Sequence, residues 1–456
     1  MCILCSSRDT LSSLFCEYFL RRIHFEFIFF IMKRLFLIFF GFLARNIVAV
    51  KKPTIIWVTG TVGKSTITQW IAILLQKEYG EGAVMFSPHN YNGEFGIPLT
   101  VFGTQSPWNN PLKWISVFFI AVSRFFRPYP RFLVLEYGID HPGEMEFLLS
   151  IATPDIGILT EVTPNHIEHF PSFEAYLKEK LLLIERSTQA IVYENMRDSI
   201  WRDAIYYGLG ALSSIDASGI REFPDHTDFS LHIDDRDFDI RLPLSGAHQI
   251  LNVLPLFGIG NILSIPTENI VSLLSSLDVG SGRGKMLPGI GNAMIIDGSY
   301  NAGYRALSSG VAFLWKFIGD FETVLFIGDM RELGETYTEN FHKNIAHEIL
   351  HISEQGAMFS RIALVGENMK KYVLPELSWI YQDRVMHFTD SKKAWTWIRH
   401  FLTEKHMKIP VVYVKGSQNT IFLEEGIKKI LRNPSDIDKL CRQSAEWLAK
   451  KWTIHG

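Results

Sequence analysis

A run of strand-forming residues from Thr54 to Val58 leads into the glycine-bearing turn TGTVGKST (Thr59 to Thr66), and apolar positions then recur at Ile67, Trp70, Ile71, Leu74 and Leu75. The first run has the composition of a buried strand, the second the spacing of an amphipathic helix, and Gly80 supplies a C-terminal stop. The rhythm continues. Ala83 to Phe86, Phe132 to Leu135, Asp155 to Leu159 and Ala190 to Tyr193 are short apolar runs set between helical patterns. Strands spaced by helices predict an α/β fold with a parallel sheet covered on both faces. Ser230 to Leu244 breaks the pattern: SLHIDDRDFDIRLPL alternates about Asp234, Asp235 and Arg236, which predicts a hairpin at the sheet's edge. GSGRG at 280–284 reads as a linker, after which Met294 to Ile296, Thr323 to Ile327, Arg361 to Val365 and Val411 to Val414 predict a second α/β sheet. The expected organisation is a hydrophobic segment over 1–50, a central domain over 51–279 and a C-terminal domain over 280–456.

The turn between the first strand and helix is where a phosphate-binding loop belongs. Gly60 and Gly63 let the backbone fold tightly enough for successive N–H groups to face an anion, and the helix that follows adds the positive end of its dipole. Thr61 and Thr66 lie within the loop, Lys64 is placed to reach outer phosphates, and the Ser65 hydroxyl suits Mg²⁺. Val58 stands where the common G-x-x-x-x-G-K-[ST] pattern has its first glycine. The expected ligand is a nucleoside triphosphate, ATP.

The first fifty residues differ. Phe25 to Met32 and Leu35 to Ala44 form two apolar blocks split by Lys33 and Arg34, and neither reaches the roughly 20 residues that span a bilayer. Three readings stay open: a helix in the membrane interface held by Lys33, Arg34, Arg45, Lys51 and Lys52; a helix packed on the protein body; and a secretory signal. The near-absence of a polar face around Phe36, Phe39, Phe40 and Phe42 favours peripheral membrane contact through residues 25–50. A signal would carry the phosphate loop to a compartment poor in ATP. Met32 is a second candidate start.

Composition narrows the field little. With 47% apolar and 20% charged residues among 456, the chain is globular in type and long enough for two or three cores. A net charge of −3 gives no electrostatic footprint for nucleic acid. Of four cysteines, Cys2, Cys5 and Cys16 lie in the first sixteen residues and Cys441 near the end, so no disulfide framework is indicated for the body. A reducing cytoplasm fits, with the inner face of the plasma membrane as an extension of that expectation.

Ligands of open α/β sheets gather at the carboxyl ends of strands. Glu136 directly follows the run FLVL, and His166, in TEVTPNHIEHF, follows DIGIL and its loop. Lys180 lies in the helical stretch EAYLKEKLLLIE, where a lysine is normally a solvated charge. The HIEH stretch lacks the spacing and third ligand of a zinc site.

Taken in order, TGTVGKST, LEYGIDHPGE, TPNHIEHF with Lys180 downstream, SGAHQILN, GRGKMLPG, IIDGSYNA, GDMRELGE and VKGSQN resemble the Mur ligases from about Thr54 to about Ile430. These are ATP-dependent amide ligases of peptidoglycan synthesis, and the likeness is greatest to the branch that adds D-alanyl-D-alanine. The resemblance implies a central P-loop ATPase domain plus a C-terminal Rossmann-like α/β domain. It implies that Lys64 contacts the phosphates, that Ser65 holds one Mg²⁺, and that Glu136, His166 and a carbamylated Lys180 serve a second. It places His248, Gln249, Asn252, Arg283 and Asp297 on the nucleotide side, and Asn90, Asn92, Glu94, Tyr300, Asn301 and Lys415 on the substrate side. The implied reaction passes through an acyl phosphate, with a muramyl peptide or other carboxylate acceptor and D-alanyl-D-alanine or another amine.

The chain departs from that pattern in three places: a hydrophobic stretch stands where a uridine-binding domain is expected, Gly298 replaces an acidic residue after Asp297, and Gln418 replaces an arginine. Two other readings remain open at this point, a poly-γ-glutamate-type ligase and a non-catalytic ATP-binding scaffold in cell-wall assembly.

Overall fold

The computed structural model describes residues 34–86, 96–106, 111–139, 141–164, 169–210, 213–331, 333–417 and 421–455. Helix α1 covers 34–51. Strand β1 (Thr54–Thr59) follows, then α2 (Lys64–Tyr79), β2 (Val84–Phe86), α3 (Gly96–Phe102), α4 (Pro111–Phe126) and β3 (Phe132–Glu136). Next come α5 (Glu144–Ile151), β4 (Ile156–Leu159), α6 (Phe173–Arg186), β5 (Gln189–Tyr193), β6 (Ile205–Gly208) and β7 (Ile215–Glu222). The hairpin strands β8 (Thr227–Ile233) and β9 (Arg236–Leu242) lead into α7 (Ala247–Leu263).

Among the described residues, these strands form one sheet in the order β2-β3-β1-β4-β5-β6-β7-β8-β9. Pairing is parallel as far as β7 and antiparallel from there to the edge. The edge hairpin turns through Asp234 and Asp235, both left-handed at φ 52 and 57, where aspartate is tolerated better than most residues. Along β1 the pleat sends Ile56 and Val58 to one core, shared with α2 and α7, and Ile55 and Trp57 to the other, shared with α1, α3, α4, α5 and α6. Both faces are therefore buried, as a parallel sheet requires. β6 and β7 have no counterpart among the sequence-predicted strands, because IYYG is short and IDASGIRE is only half apolar.

α1 buries Leu37, Phe40, Gly41, Ala44 and Ile47, one helical stripe, against the core under α5. A Cβ on Gly41 would lie 3.2 Å from Phe147 Cζ and 3.3 Å from Ile151 Cδ1, so glycine permits this close crossing. The described part of the N-terminal segment is thus packed on the body, while Leu35, Phe36, Ile38, Phe39 and Phe42 remain exposed. Residues 25–33 of the expected segment lie outside the described residues.

Beyond the GSGRG link, β10 (Lys285–Pro288), β11 (Met294–Gly298), β12 (Glu322–Gly328), β13 (Arg361–Val365), β14 (Val385–Phe388) and β15 (Pro410–Lys415) build a second sheet, ordered β10-β11-β15-β12-β13-β14. It is parallel except for β10. β12 divides its side chains as β1 does, with Leu325 and Ile327 in one core and Val324 and Phe326 in the other.

Candidate functional site

The phosphate loop sits at the carboxyl end of β1, where the loops after β1 and its neighbour β4 part company. Gly60 (φ 134) and Gly63 (φ 85) hold conformations that side chains resist, and α2 starts at Lys64 without a side-chain cap on its first turn. Close approach matters as well as φ: a Cβ on Gly60 would fall 1.9 Å from Thr160 Oγ1, and one on Gly63 2.2 Å from Asn252 Oδ1. The segment after β4 fastens the loop. Thr61 N–H donates to Glu161 O at 2.7 Å, Thr160 Oγ1 to Val62 O at 2.8 Å, and Thr163 N–H to Thr61 Oγ1 at 2.9 Å. Lys64 Nζ donates to Thr61 O at 3.2 Å, folded back over its own loop.

Lys180, on α6, is 1% exposed rather than solvated. Its Nζ donates to Gly60 O at 3.2 Å and lies 4.7 Å from the Tyr176 ring centroid, which sets the amine directly beneath the phosphate loop. Ser172 starts this helix by accepting from Ala175 N–H at 3.2 Å. Glu136 ends β3 opposite Val58 and is largely buried. His166, Asn90, Asn92, Glu94 and Gln418 lie outside the described residues.

A cavity between the two sheets gathers Gly63, Thr66, His248, Gln249, Asn252, Arg283, Tyr300, Asn301 and Lys415. Arg283 reaches across it, donating from Nη2 to Ser65 Oγ at 3.1 Å while its guanidinium lies 4.4 Å from the Tyr300 ring centroid. Asn252 Nδ2 donates to Gln249 Oε1 at 3.0 Å, so the two amides form one polar unit. Lys415 shares this cavity with the residues expected on the nucleotide side. Burial pushes its pKa down to about 8, aided by the like charge of Arg283 and opposed by Asp297. Burial and the Lys415 cation likewise push His248 down to about 4, keeping it neutral near pH 7.

Asp297 lies between the cavity-lining residues Ile296 and Gly298. It does not line the cavity among the described residues; its Oδ1 accepts from Ser299 N–H at 3.0 Å, and burial raises its pKa. Gly298 also has a steric reason: a Cβ there would sit 2.8 Å from Val414 O and 2.9 Å from Lys415 Cδ, so the lysine stem fills the space an acidic side chain would need.

The cavity adds residues the sequence reading did not single out. Tyr193, Tyr207, Thr160, Glu161 and Arg305 line it, and Glu161 Oε1 accepts from Arg305 Nε at 3.2 Å and Nη2 at 3.0 Å, a second bridge between the sheets. Glu161 was reachable by the strand-end rule, since it lies two residues beyond DIGIL. Arg305, inside a helix far along the chain, offered no local signal.

Residues 58–259 match the Mur ligase middle domain. Over that middle part the chain is similar to the Mur ligases. It is 25% identical over 391 residues to the UDP-N-acetylmuramoyl-tripeptide–D-alanyl-D-alanine ligase of Bacillus subtilis, covering 83% of this chain and 76% of that one. The fold resembles MurF from Acinetobacter baumannii, with TM-score 0.69 at 18% identity over 87% of this chain and 79% of that one. It also resembles MurF from Thermotoga maritima solved with ADP, with TM-score 0.68 at 22% identity over 86% and 83%. The general chemistry these likenesses support is ATP-dependent amide-bond formation, that of an acid–amino-acid ligase.

Proposed function

We propose that this protein joins D-alanyl-D-alanine to the carboxylate of a muramyl peptide, using ATP and Mg²⁺. The observation that carries the reading is the meeting of the phosphate loop with Arg283 across a cavity lined by cations and amides. The relatives in Bacillus subtilis and Escherichia coli, 25% and 23% identical, both bear the name of that ligase. The residues fit the implied groups. Gly60 and Gly63 permit the positive-φ backbone that a phosphate-binding turn needs, Lys64, Arg283 and Lys415 supply positive charge, and Ser65 and Glu136 offer the hard oxygen donors Mg²⁺ prefers.

In the reaction an acceptor carboxylate oxygen attacks the γ-phosphorus as the bond to ADP breaks, giving an acyl phosphate. The incoming amine then attacks the acyl carbon, loses a proton, and expels phosphate. Lys64 and Arg283 screen the charge on the transferring oxygens. Mg²⁺, when bound, withdraws charge from the same oxygens. His166 and Lys180 are the proposed partners of Glu136 at the second metal. Buried under Gly60, the protonated Lys180 amine would bring a positive charge toward that ion; loss of one proton frees the amine, and addition of CO₂ with loss of a second proton turns it into an anionic carbamate. The two sheets, bridged by Arg283–Ser65 and Arg305–Glu161, shield the acyl phosphate from water.

A phosphate-release assay tests this with UDP-linked and lipid-linked muramyl tripeptides against D-alanyl-D-alanine, glutamate and single amino acids. ADP formation that needs both a muramyl tripeptide and D-alanyl-D-alanine is the expected result. Dependence on glutamate alone would replace it with a polymer-extending ligase, and ATP binding with no phosphate release for any amine would mark a non-catalytic scaffold.

A further inference from the structure

Helices α1 and α4 lie side by side on the outside of the first sheet. Phe39 stacks on Phe118 with ring centroids 6.0 Å apart, Phe36 meets Trp114 edge-on at 6.3 Å, and Lys51 Nζ donates to Arg127 O at 2.8 Å beyond the far end of α4. This shared ridge anchors one side of each helix and leaves the other outward. On α1, Phe36 is 45% exposed, Ile38 53% and Phe42 63%; on α4, Ile115 is 55%, Phe119 64% and Phe126 84%. Soluble surfaces seldom gather large apolar side chains in this way without a binding role.

The charge on these two helices is of one sign. No aspartate or glutamate occurs from residue 27 to 77 or from 95 to 135. Arg34, Arg45, Lys113 and Arg127 are exposed on these helices or at their ends. Among the described residues, no helix is long and apolar enough to cross a membrane. An apolar face whose own helices carry only cations matches an anionic lipid surface, where the rings enter the acyl boundary and the cations meet headgroup phosphates. A second copy of the chain fits poorly, since a two-fold interface would set these cations against themselves.

We infer that α1 and α4 together form a monotopic face that seats this protein on an anionic phospholipid bilayer. The inference stands apart from the choice of acceptor and amine. Flotation of the full chain with vesicles of phosphatidylglycerol and phosphatidylcholine, against phosphatidylcholine alone, tests it. Binding to the anionic vesicles at least about ten-fold tighter, weakening as salt rises, is expected from these cations. Phe42→Glu with Phe119→Glu, both at exposed positions, should lower that binding about ten-fold and leave phosphate release in solution unchanged. Lys113→Glu with Arg127→Glu should remove the preference for anionic lipid. Trp379→Glu, on an exposed ring of the second sheet's helices, should change nothing. The proposal is overturned by equal binding to neutral vesicles, by full binding of the double phenylalanine variant, or by a dimer in solution that the same variant dissolves. It is also overturned if a chain starting at Met32 loses the binding entirely, which would assign it to residues 1–31.

Discussion

Arg283 and Ser65 are joined by a 3.1 Å hydrogen bond although they belong to different halves of the protein. The serine opens the helix after the phosphate loop, and the arginine sits in a turn held by Gly282 (φ 74) and Gly284 (φ 92). An arginine that hydrogen-bonds the proposed Mg²⁺-binding hydroxyl is placed to transfer its contact to phosphate oxygens. Arg283→Ala should lower kcat by about 10²-fold, in line with the loss of one donor to a transferring group, with the melting temperature nearly unchanged. Steady-state phosphate release with a parallel thermal melt checks this; wild-type turnover would remove Arg283 from the site.

Lys64→Ala should abolish measurable turnover with any amine, because the lysine supplies the positive charge closest to the phosphate loop. ATP titration followed by a single-turnover assay separates lost binding from lost chemistry. Retained activity would sink the assignment of the loop.

Lys180→Ala should reduce activity strongly, and a small carboxylate such as acetate should restore part of it if the working form of Lys180 is a carbamate. Wild-type activity should also fall in buffer stripped of CO₂ and return on adding bicarbonate. A variant that no carboxylate rescues, beside a wild type indifferent to bicarbonate, would mean that the amine acts as a cation.

Lys415 gives a pH dependence whose sign is defined. Its folded pKa is about 8, below the ordinary lysine value, so the cation in the cavity is lost as pH rises through 8. kcat/KM for ATP should fall through that range, and Lys415→Arg should hold it level to higher pH. Stability runs the other way. From about pH 8 upward to the ordinary lysine pKa the unfolded chain binds more protons, so this group's contribution to stability increases with pH. A urea titration at pH 7.5 and 9.5 therefore distinguishes lost activity from unfolding.

Glu424 is fully buried and pairs with Arg442 at 2.7 Å and Lys451 at 2.8 Å. Arg442 in turn donates to Ser299 O and Tyr300 O, each at 2.8 Å, holding the turn that carries the ring beneath Arg283. Glu424→Gln leaves the buried Arg442 short of its anion, while Lys451 keeps Glu425 at 2.6 Å, and should cost about 3–5 kcal/mol in chemical denaturation, with a raised KM for ATP. A loss below 1 kcal/mol would show that the network is solvated.

The backbone of this protein was largely legible in its sequence because strand and helix periodicity are local properties. The phosphate loop, the Gly80 stop and the Asp234–Asp235 turn each follow from a few neighbouring residues, and each is found where that chemistry puts it. Four strands escaped: β6, β10 and β14 are only four residues each, and β7 is only half apolar. The site was legible in residue type but not in arrangement. Nothing within α6 distinguishes Lys180 from a solvated lysine; its burial is imposed by Gly60, 120 positions earlier. Asp297 falls on the face of β11 away from the cavity, and the Lys415 stem occupies the space beside Gly298, through contacts that only the assembled second sheet creates. The sequence by itself determined which elements form and what chemistry they carry. The tertiary structure alone decided which charges are desolvated, which side chains bridge the two sheets, and which apolar face is left exposed, because burial is set by neighbours far away along the chain.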